Sequence, residues 1–188
     1  LKFNHVSGHF YCSWNNLTTL EGSPKSVGGD FYCEYNNLTT LDGAPQSVGG
    51  NFNCSSNNLT TLEGSPKSVG GYFYCSWNNL TRLLGAPQSI SGRFDCVKNN
   101  LKTLEGGPKS VGGHFDCRFN KLKKLEGSPK SVGDFWCDNN NLTTLEGGPQ
   151  SVGGDFNCIG NPIHDQLGRI DYKSYIKKIN RDKILNEL

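Results

Sequence analysis

FYCEYNNLTTLDGAPQSVGGN, residues 31–51, is one copy of a sequence repeat that recurs with small changes along this 188-residue chain. The cysteines mark its register, because each copy holds one cysteine, and successive cysteines are 21 residues apart except for a step of 20 between Cys117 and Cys137. A fixed period of this length is typical of a solenoid, in which each repeat stacks on its neighbours. The cysteines are Cys12, Cys33, Cys54, Cys75, Cys96, Cys117, Cys137 and Cys158.

The constant positions of the repeat predict a short strand followed by a tight return. Phe31 and Cys33 are two apart, so they lie on one face of a strand. Asn36 follows at a bend, where an inward amide can bond the backbones of adjacent coils. Gly43 marks a turn that requires positive φ, and the Pro, Gly and Ser residues after it disfavour an α-helix.

This pattern predicts a mainly β solenoid. Its concave side is a parallel sheet of about eight short strands, and its convex side is extended or 3₁₀. We expect seven full repeats and partial end repeats over residues 1–164. Residues 165–188 differ in composition and show helical spacing of apolar residues, which predicts a short C-terminal helical cap.

The copy that begins at Val132 fits the frame Leu-x-x-Leu-x-Leu-x-x-Asn-x-Leu, with Val132, Phe135 and Cys137 in the first three leucine places. In this respect the chain resembles the leucine-rich repeat family over about residues 6–163. The short, Pro-containing return is similar to the repeats of bacterial type III effectors, and the Gly-Gly-x-Phe-x-Cys wording resembles repeat proteins of tailed bacteriophages. Members of the family share no common activity, so the resemblance implies recognition of a partner and nothing more specific.

Composition and motifs argue against several functional classes. A net charge of +2 lacks the basic excess expected of a nucleic-acid-binding protein. No apolar run approaches the roughly 20 residues that span a bilayer. The four histidines are scattered, and no nucleophile–base pair, paired-carboxylate site or nucleotide loop can be assembled. We therefore expect no enzymatic activity, no cofactor, no metal, no nucleic-acid partner and no membrane association.

The eight cysteines allow three interpretations. Disulfides would suit a secreted protein, but neighbouring cysteines on parallel strands have poor geometry for them. A metal site lacks a Cys-x-x-Cys pair or a suitably spaced histidine. The favoured interpretation is a ladder of free, buried thiols that fill space, which implies a reducing compartment: the cytoplasm, or the host cytosol if the protein is viral.

The variable positions beside each strand are the candidate binding residues. In the first four repeats they are mostly aromatic, and from the fifth repeat they become charged. Exposed aromatic and arginine side chains are enriched at binding hot spots, although cross-strand stacking alone would also explain the aromatics. The candidate partner-binding residues on the concave face are Tyr11, Trp14, Tyr32, Tyr35, Tyr72, Tyr74, Trp77, Arg93, Asp95, Lys98, His114, Asp116, Arg118, Phe119 and Trp136.

Two functions follow from this face. The first is a protein-interaction module, phage-like or effector-like, that binds a protein partner through the aromatic and charged residues. The alternative is a glycan-binding surface, in which the rings stack on sugars. The N-terminal coil has no recognisable cap, so we expect either a monomer or an end-to-end dimer through that coil.

Overall fold

The computed structural model describes residues 4–167, 172, 174 and 175. The protein is a mainly β solenoid of stacked parallel strands, as the repeat predicted, with one short helix near its C-terminus. Each coil contributes two strands of two residues. The Ser-Val strands, with Ser-Ile in one copy, are β1 (His5–Val6), β3 (Ser26–Val27), β5 (Ser47–Val48), β7 (Ser68–Val69), β9 (Ser89–Ile90), β11 (Ser110–Val111), β13 (Ser131–Val132) and β15 (Ser151–Val152), β1 having His in place of Ser.

The second strand of each coil begins with the repeated phenylalanine. These strands form one continuous parallel sheet of eight, in which each phenylalanine pairs with that of the next coil. Their bounds are β2 (Phe10–Tyr11), β4 (Phe31–Tyr32), β6 (Phe52–Asn53), β8 (Phe73–Tyr74), β10 (Phe94–Asp95), β12 (Phe115–Asp116), β14 (Phe135–Trp136) and β16 (Phe156–Asn157).

The core is a set of ladders that run along the solenoid. Neighbouring phenylalanine rings stack with centroids 5.2 to 5.6 Å apart. Cysteine, two leucines and valine from each coil fill the remaining interior. Because every coil buries the same few side chains against its neighbours, a chain that is only 34% hydrophobic encloses a continuous core.

The repeated asparagine ties adjacent coils together. Asn78 Oδ1 accepts the backbone N–H of Leu59 at 2.9 Å, and its Nδ2 donates to the carbonyls of Cys54 and Cys75 at 3.1 and 3.2 Å. The same arrangement recurs in each later coil, for example at Asn99. The predicted inward amide is therefore confirmed, and it satisfies backbone groups that the bend leaves without a strand partner.

The turn glycine adopts the predicted positive φ. Gly43 has φ of 90°, and Ala44 N–H donates to Leu41 O at 2.9 Å, which closes a four-residue turn of type II geometry. A Cβ at Gly43 would lie 2.6 Å from the carbonyl carbon of Leu20 in the preceding coil. Both the dihedral angle and the close approach of the coils therefore require glycine at this position.

The Ser-Val side is extended, as one of the two expected forms, and it shows two further features. Its extended segments pair as strands, and no 3₁₀ turn occurs within residues 4–167. Its ladder is also divided into two four-stranded sheets, between β7 and β9, whereas the phenylalanine sheet continues there through a bond from Phe73 N–H to Arg93 O. At this division the ring of Tyr72 occupies the space beside Gly92, where a Cβ would lie 2.1 Å from Tyr72 Cδ1.

The C-terminal end of the core is covered by an aromatic ring. Helix α1 (Pro162–Leu167) follows the last strand. Beyond it, the Tyr172 ring stacks on Phe156 at 3.8 Å, and the Tyr172 hydroxyl donates to Pro149 O at 2.6 Å. Tyr172 thus extends the phenylalanine stack at its end. The remainder of the predicted cap, residues 168–171, 173 and 176–188, lies outside the described residues.

Candidate functional site

The outward side of the eight-stranded sheet carries the candidate residues. In each coil the chain alternates inward Phe and Cys with outward residues, so the positions before Phe, between Phe and Cys, and after Cys point outward. Neighbouring side chains nevertheless bury four of these residues, which are Ser76, Asp95, Asp116 and Asp138. We call this surface, together with the residue two after each cysteine, the front face. Its most exposed rings are Trp14, at 72%, and Tyr11, at 61%, followed by Trp77, Tyr35, Phe119 and Tyr72.

The residue two after each cysteine has a left-handed backbone. Trp14 has φ of 60° and Trp77 has φ of 56°. Large side chains rarely occupy this region because Cβ approaches the following carbonyl, at a cost of about 1–2 kcal/mol. The strain is sustained because the next residue is the asparagine that holds the coils together. The complete set is Trp14, Tyr35, Ser56, Trp77, Lys98, Phe119, Asn139 and Gly160.

Aromatic side chains of the first four coils contact one another. The rings of Trp14 and Tyr35 stack at 3.8 Å, and those of Tyr11 and Tyr32 lie 5.1 Å apart. In the fourth coil, Tyr72 and Tyr74 meet edge to face at 5.9 Å. Sequence reasoning placed these aromatics on one surface, and the structure brings them into two clusters that are separated by the third coil.

The third coil presents only small polar side chains to the front face. Asn53, Ser55 and Ser56 take the positions that Tyr32, Glu34 and Tyr35 hold in the second coil. These three residues of the third coil are partly exposed. Because these side chains are smaller than the rings on either side, we infer a polar groove between aromatic walls. Sequence reasoning missed it, although the residues are visible when the copies are aligned.

The charged half of the face is an ion-pair cluster. Asp116 is fully buried, and its Oδ2 accepts from Arg93 at 2.6 Å and from Arg118 at 2.7 Å. Asp95 is also buried, and it pairs with Arg93 and with the Ser76 hydroxyl. The hydrogen bond to Asp116 raises the pKa of Arg118.

Two of the candidate binding residues thus have a different position from the one expected. The carboxylates of Asp95 and Asp116 lie beneath the two arginines and hold them in place. The guanidinium carbons of Arg93 and Arg118 lie 5.6 and 5.1 Å from the centroid of Trp136. The groups that this half offers to the surface are therefore the arginines and the indole.

The other charged candidates contact rings. Lys98 Nζ lies 3.6 Å from the centroid of Trp77 and 5.7 Å from that of Phe119. The His114 ring stacks on Trp136 at 4.9 Å, and its Nδ1 lies 2.6 Å from Asp134 Oδ2. Each of these contacts joins neighbouring coils and orders the side chains of the face.

The position before each phenylalanine has a structural role in several coils that sequence reasoning did not find. Asp30 Oδ1 accepts the backbone N–H of Asn51 at 2.7 Å, and Asn51 Oδ1 accepts that of Tyr72 at 2.8 Å. Asp134 does the same for Asp155 at 2.8 Å. The signal in the sequence is the short acceptor side chain at a fixed period.

The thiols form the expected inward ladder. Cys33 Sγ donates to Asn53 O at 3.3 Å, and seven of the eight cysteines are buried and Cys12 is partly buried. Burial raises the pKa of Cys12 and of Cys158 to about 11, and it raises those of the interior thiols further. Within the described part of the chain, no group of three or more His, Cys, Asp or Glu side chains is arranged to hold a metal ion.

These pKa shifts predict slow thiol alkylation in the folded protein. At pH 8 a thiol with a pKa near 11 is ionised on the order of a hundredfold less than a free thiol with a pKa near 8.5, and only the thiolate reacts. We expect iodoacetamide to modify the native protein at least that much more slowly than the urea-unfolded protein. Mass spectrometry should find Cys12 and Cys158 modified first. Rapid native alkylation of Cys75 would contradict the buried ladder.

No family model, curated protein or solved structure matches this chain. Among the described residues, none belongs to a helix long and apolar enough to cross a membrane. The fold and the face together define a class, a β-solenoid repeat protein with aromatic and charged side chains on the outward side of one sheet.

Proposed function

We propose that this protein is a non-enzymatic interaction module that binds a protein partner on its front face. One observation carries the proposal: aromatic rings occupy left-handed backbone positions and remain exposed. Trp14, Tyr35, Trp77 and Phe119 all do so. Gly or Asn would relieve the strain, and the chain itself uses them in the last two coils, at Asn139 and Gly160.

Strain of this kind persists only where the surrounding structure holds it, as the asparagine ladder does here, and it accumulates at functional positions. The Trp14–Tyr35 stack stabilises the fold by about 0.5–1.5 kcal/mol. This gain is no larger than the backbone strain energy of the two left-handed residues together. Folding stability therefore gives little reason to keep the rings. Their exposure and their rigid presentation suit hot-spot anchors.

The leucine-rich repeat assignment is part of the proposal. It is supported by parallel strands in unshifted register, by the asparagine ladder and by buried residues at the family's leucine places. A bacteriophage or effector-like role is supported only by the amino-acid sequence of the repeat. The free thiols support a reducing compartment, that is, a cytoplasm.

Replacement of the strained rings separates binding from folding. In the variant Trp14→Asn, Tyr35→Asn, Trp77→Asn, we expect affinity for the partner to fall at least about a hundredfold, since hot-spot truncations each cost 2 kcal/mol or more. The free energy of unfolding should change by about 1 kcal/mol or less, because relief of strain offsets the lost ring contacts. Quantitative affinity capture from a candidate host lysate and urea denaturation measure the two effects.

The matched control is Leu84→Asn, which removes an exposed apolar side chain away from the front face. It should leave capture unchanged. Equal capture by the wild-type protein and the triple variant would show that the partner binds elsewhere or that the face has no partner.

A glycan-binding surface is the second candidate. The observation that favours it is the groove of the third coil, where the amide and hydroxyl groups of Asn53, Ser55 and Ser56 lie between aromatic walls. Sugar rings stack on aromatic faces while their hydroxyls bond such groups. A glycan array distinguishes the candidates, since saturable binding of a glycan that the triple variant loses would favour this function over the first.

A further inference from the structure

The first four coils of the front face carry negative charge and π-electron density without a cation of their own. Their outward and left-handed positions include seven Tyr and Trp residues and two acids, Asp30 and Glu34, but no Lys or Arg. The two acids differ. Asp30 accepts the backbone N–H of Asn51 and lies 3.2 Å from His9. Glu34 Oε2 is shielded from solvent and has no hydrogen-bond partner among the described residues.

An unpartnered carboxylate oxygen is a costly feature, because burial removes its water without supplying a donor. Glu34 as a whole is partly exposed, so rotation about its side-chain bonds can bring the carboxylate to an incoming donor. Its neighbours along the sheet, Ser13 and Ser55, carry no charge. None of the described residues supplies the donor for Glu34, so a bound partner can do so.

The groove above Ser56 has the width to admit a flat group. Tyr35 and Trp77 flank Ser56 in the left-handed column, two coils apart, which is about 9.6 Å at the usual spacing of strands. Trp14 covers one face of Tyr35 at 3.8 Å, and Lys98 covers one face of Trp77 at 3.6 Å. Because Trp14 and Lys98 come from the coils away from Ser56, the opposite faces of both rings border the groove. A flat group that lies as close to the Tyr35 and Trp77 rings as Trp14 and Lys98 do therefore fits between them.

In the charged half of the same face, arginines of this chain already occupy the equivalent place between an aromatic ring and a carboxylate. Two arginines border the Trp136 ring, and each pairs with the carboxylate of Asp116. In the first four coils the rings and the carboxylate are present, but the guanidinium is missing.

We propose that the groove bounded by Tyr35, Trp77 and Glu34 binds an arginine side chain of a protein partner. The guanidinium lies over Ser56 against the aromatic walls and donates to the Glu34 carboxylate. This inference rests on the proposed function, and it adds the chemistry of the anchor that the partner presents.

Charge complementarity favours a guanidinium over the other occupants. A planar guanidinium stacks on aromatic rings and donates two parallel hydrogen bonds to a carboxylate. An ammonium lacks the planar fork, and a neutral sugar leaves the Glu34 charge without a counter-ion.

The test uses three blocked tripeptides, Ac-Gly-Arg-Gly-NH₂, its lysine analogue and its citrulline analogue, with N-acetylglucosamine as the sugar probe. The readout is the indole N–H signals of the ¹⁵N-labelled protein, which has three tryptophans: Trp14, Trp77 and Trp136. We expect the arginine peptide to shift the Trp77 signal saturably. Citrulline is a neutral isostere of arginine, and its peptide should bind at least about tenfold more weakly, as the loss of a charge-assisted bond predicts.

Two variants locate the site. Glu34→Gln keeps the shape of the side chain and should weaken arginine binding at least about tenfold. Ser56→Trp places in the groove a ring that this backbone position already tolerates at Trp14 and Trp77, and it should abolish the shift. The control Glu63→Gln changes an exposed acid outside the front face and should have no effect.

Equal binding of the citrulline or lysine peptide, binding of the sugar alone, a shift confined to Trp136, or no saturable shift would each overturn the arginine site. The proposed function is tested separately. If the triple asparagine variant loses the captured partner but Glu34→Gln does not, the front face binds a protein without this anchor.

Discussion

Asn78→Ala should lower the free energy of unfolding by about 3–5 kcal/mol, a large part of the 5–15 kcal/mol typical of a folded domain. Asn78 is buried, and its amide bonds Leu59 N–H and Cys54 O of the preceding coil and Cys75 O of its own coil. The Cys54 carbonyl keeps a second donor, Asn57, but the Leu59 N–H loses its acceptor in a place that water does not reach. An orphaned buried donor costs about 1–3 kcal/mol, and the other lost bonds add to it.

The neighbouring Asn79 provides the matched control. Its side chain is exposed, and its backbone N–H donates to Leu59 O whatever the side chain. Asn79→Ala should change stability by about 0.5 kcal/mol or less in the same urea titration. Equal destabilisation by the two substitutions would show that the buried ladder does not hold the coils together.

Phe73→Ala should destabilise the protein by a similar amount, about 3–5 kcal/mol, through the cavity it leaves. The Phe73 ring is fully buried between the rings of Phe52 and Phe94, with centroids 5.2 and 5.3 Å away. In a solenoid each coil contacts only its neighbours, so a defect in the middle also weakens the coupling of the two halves. We expect a broader urea transition, with a smaller slope, as well as a lower midpoint.

Phe10→Ala makes the same chemical change where the packing differs. Phe10 is only partly buried and stacks on one ring, Phe31 at 5.3 Å. Its loss should cost clearly less and leave the slope of the transition unchanged. An equal cost at both positions would mean that the phenylalanine stack is not the main source of coupling between coils.

The scaffold was predictable because its causes lie within one repeat. The inward Phe and Cys follow from the two-residue period of a strand, and the positive φ of Gly43 follows from a glycine at a fixed place. The asparagine ladder follows from a polar residue that recurs beside buried ones. These features involve the same contact in every coil, so one copy reveals all of them.

The arrangement of the front face was less predictable because its contacts join different copies. Asp116 lies between Arg93, 23 residues before it, and Arg118, two residues after it, and the repeat pattern alone does not indicate that this carboxylate becomes buried. Likewise, the left-handed backbone at Trp14 runs against its residue type, since Gly and Asn are the usual signals for that conformation. Sequence reasoning fails there because the ladder that follows imposes the backbone.

The division of the Ser-Val ladder between β7 and β9 gives the solenoid a hinge line. Along this line the two halves remain joined by the phenylalanine sheet, while the opposite side lacks strand pairing. We therefore expect bending to require less energy here than at other coil boundaries, and bending would change the angle between the aromatic first four coils and the charged half of the front face. We therefore expect the affinity of a ligand that contacts both halves of the front face to include the energy of any bending at this line.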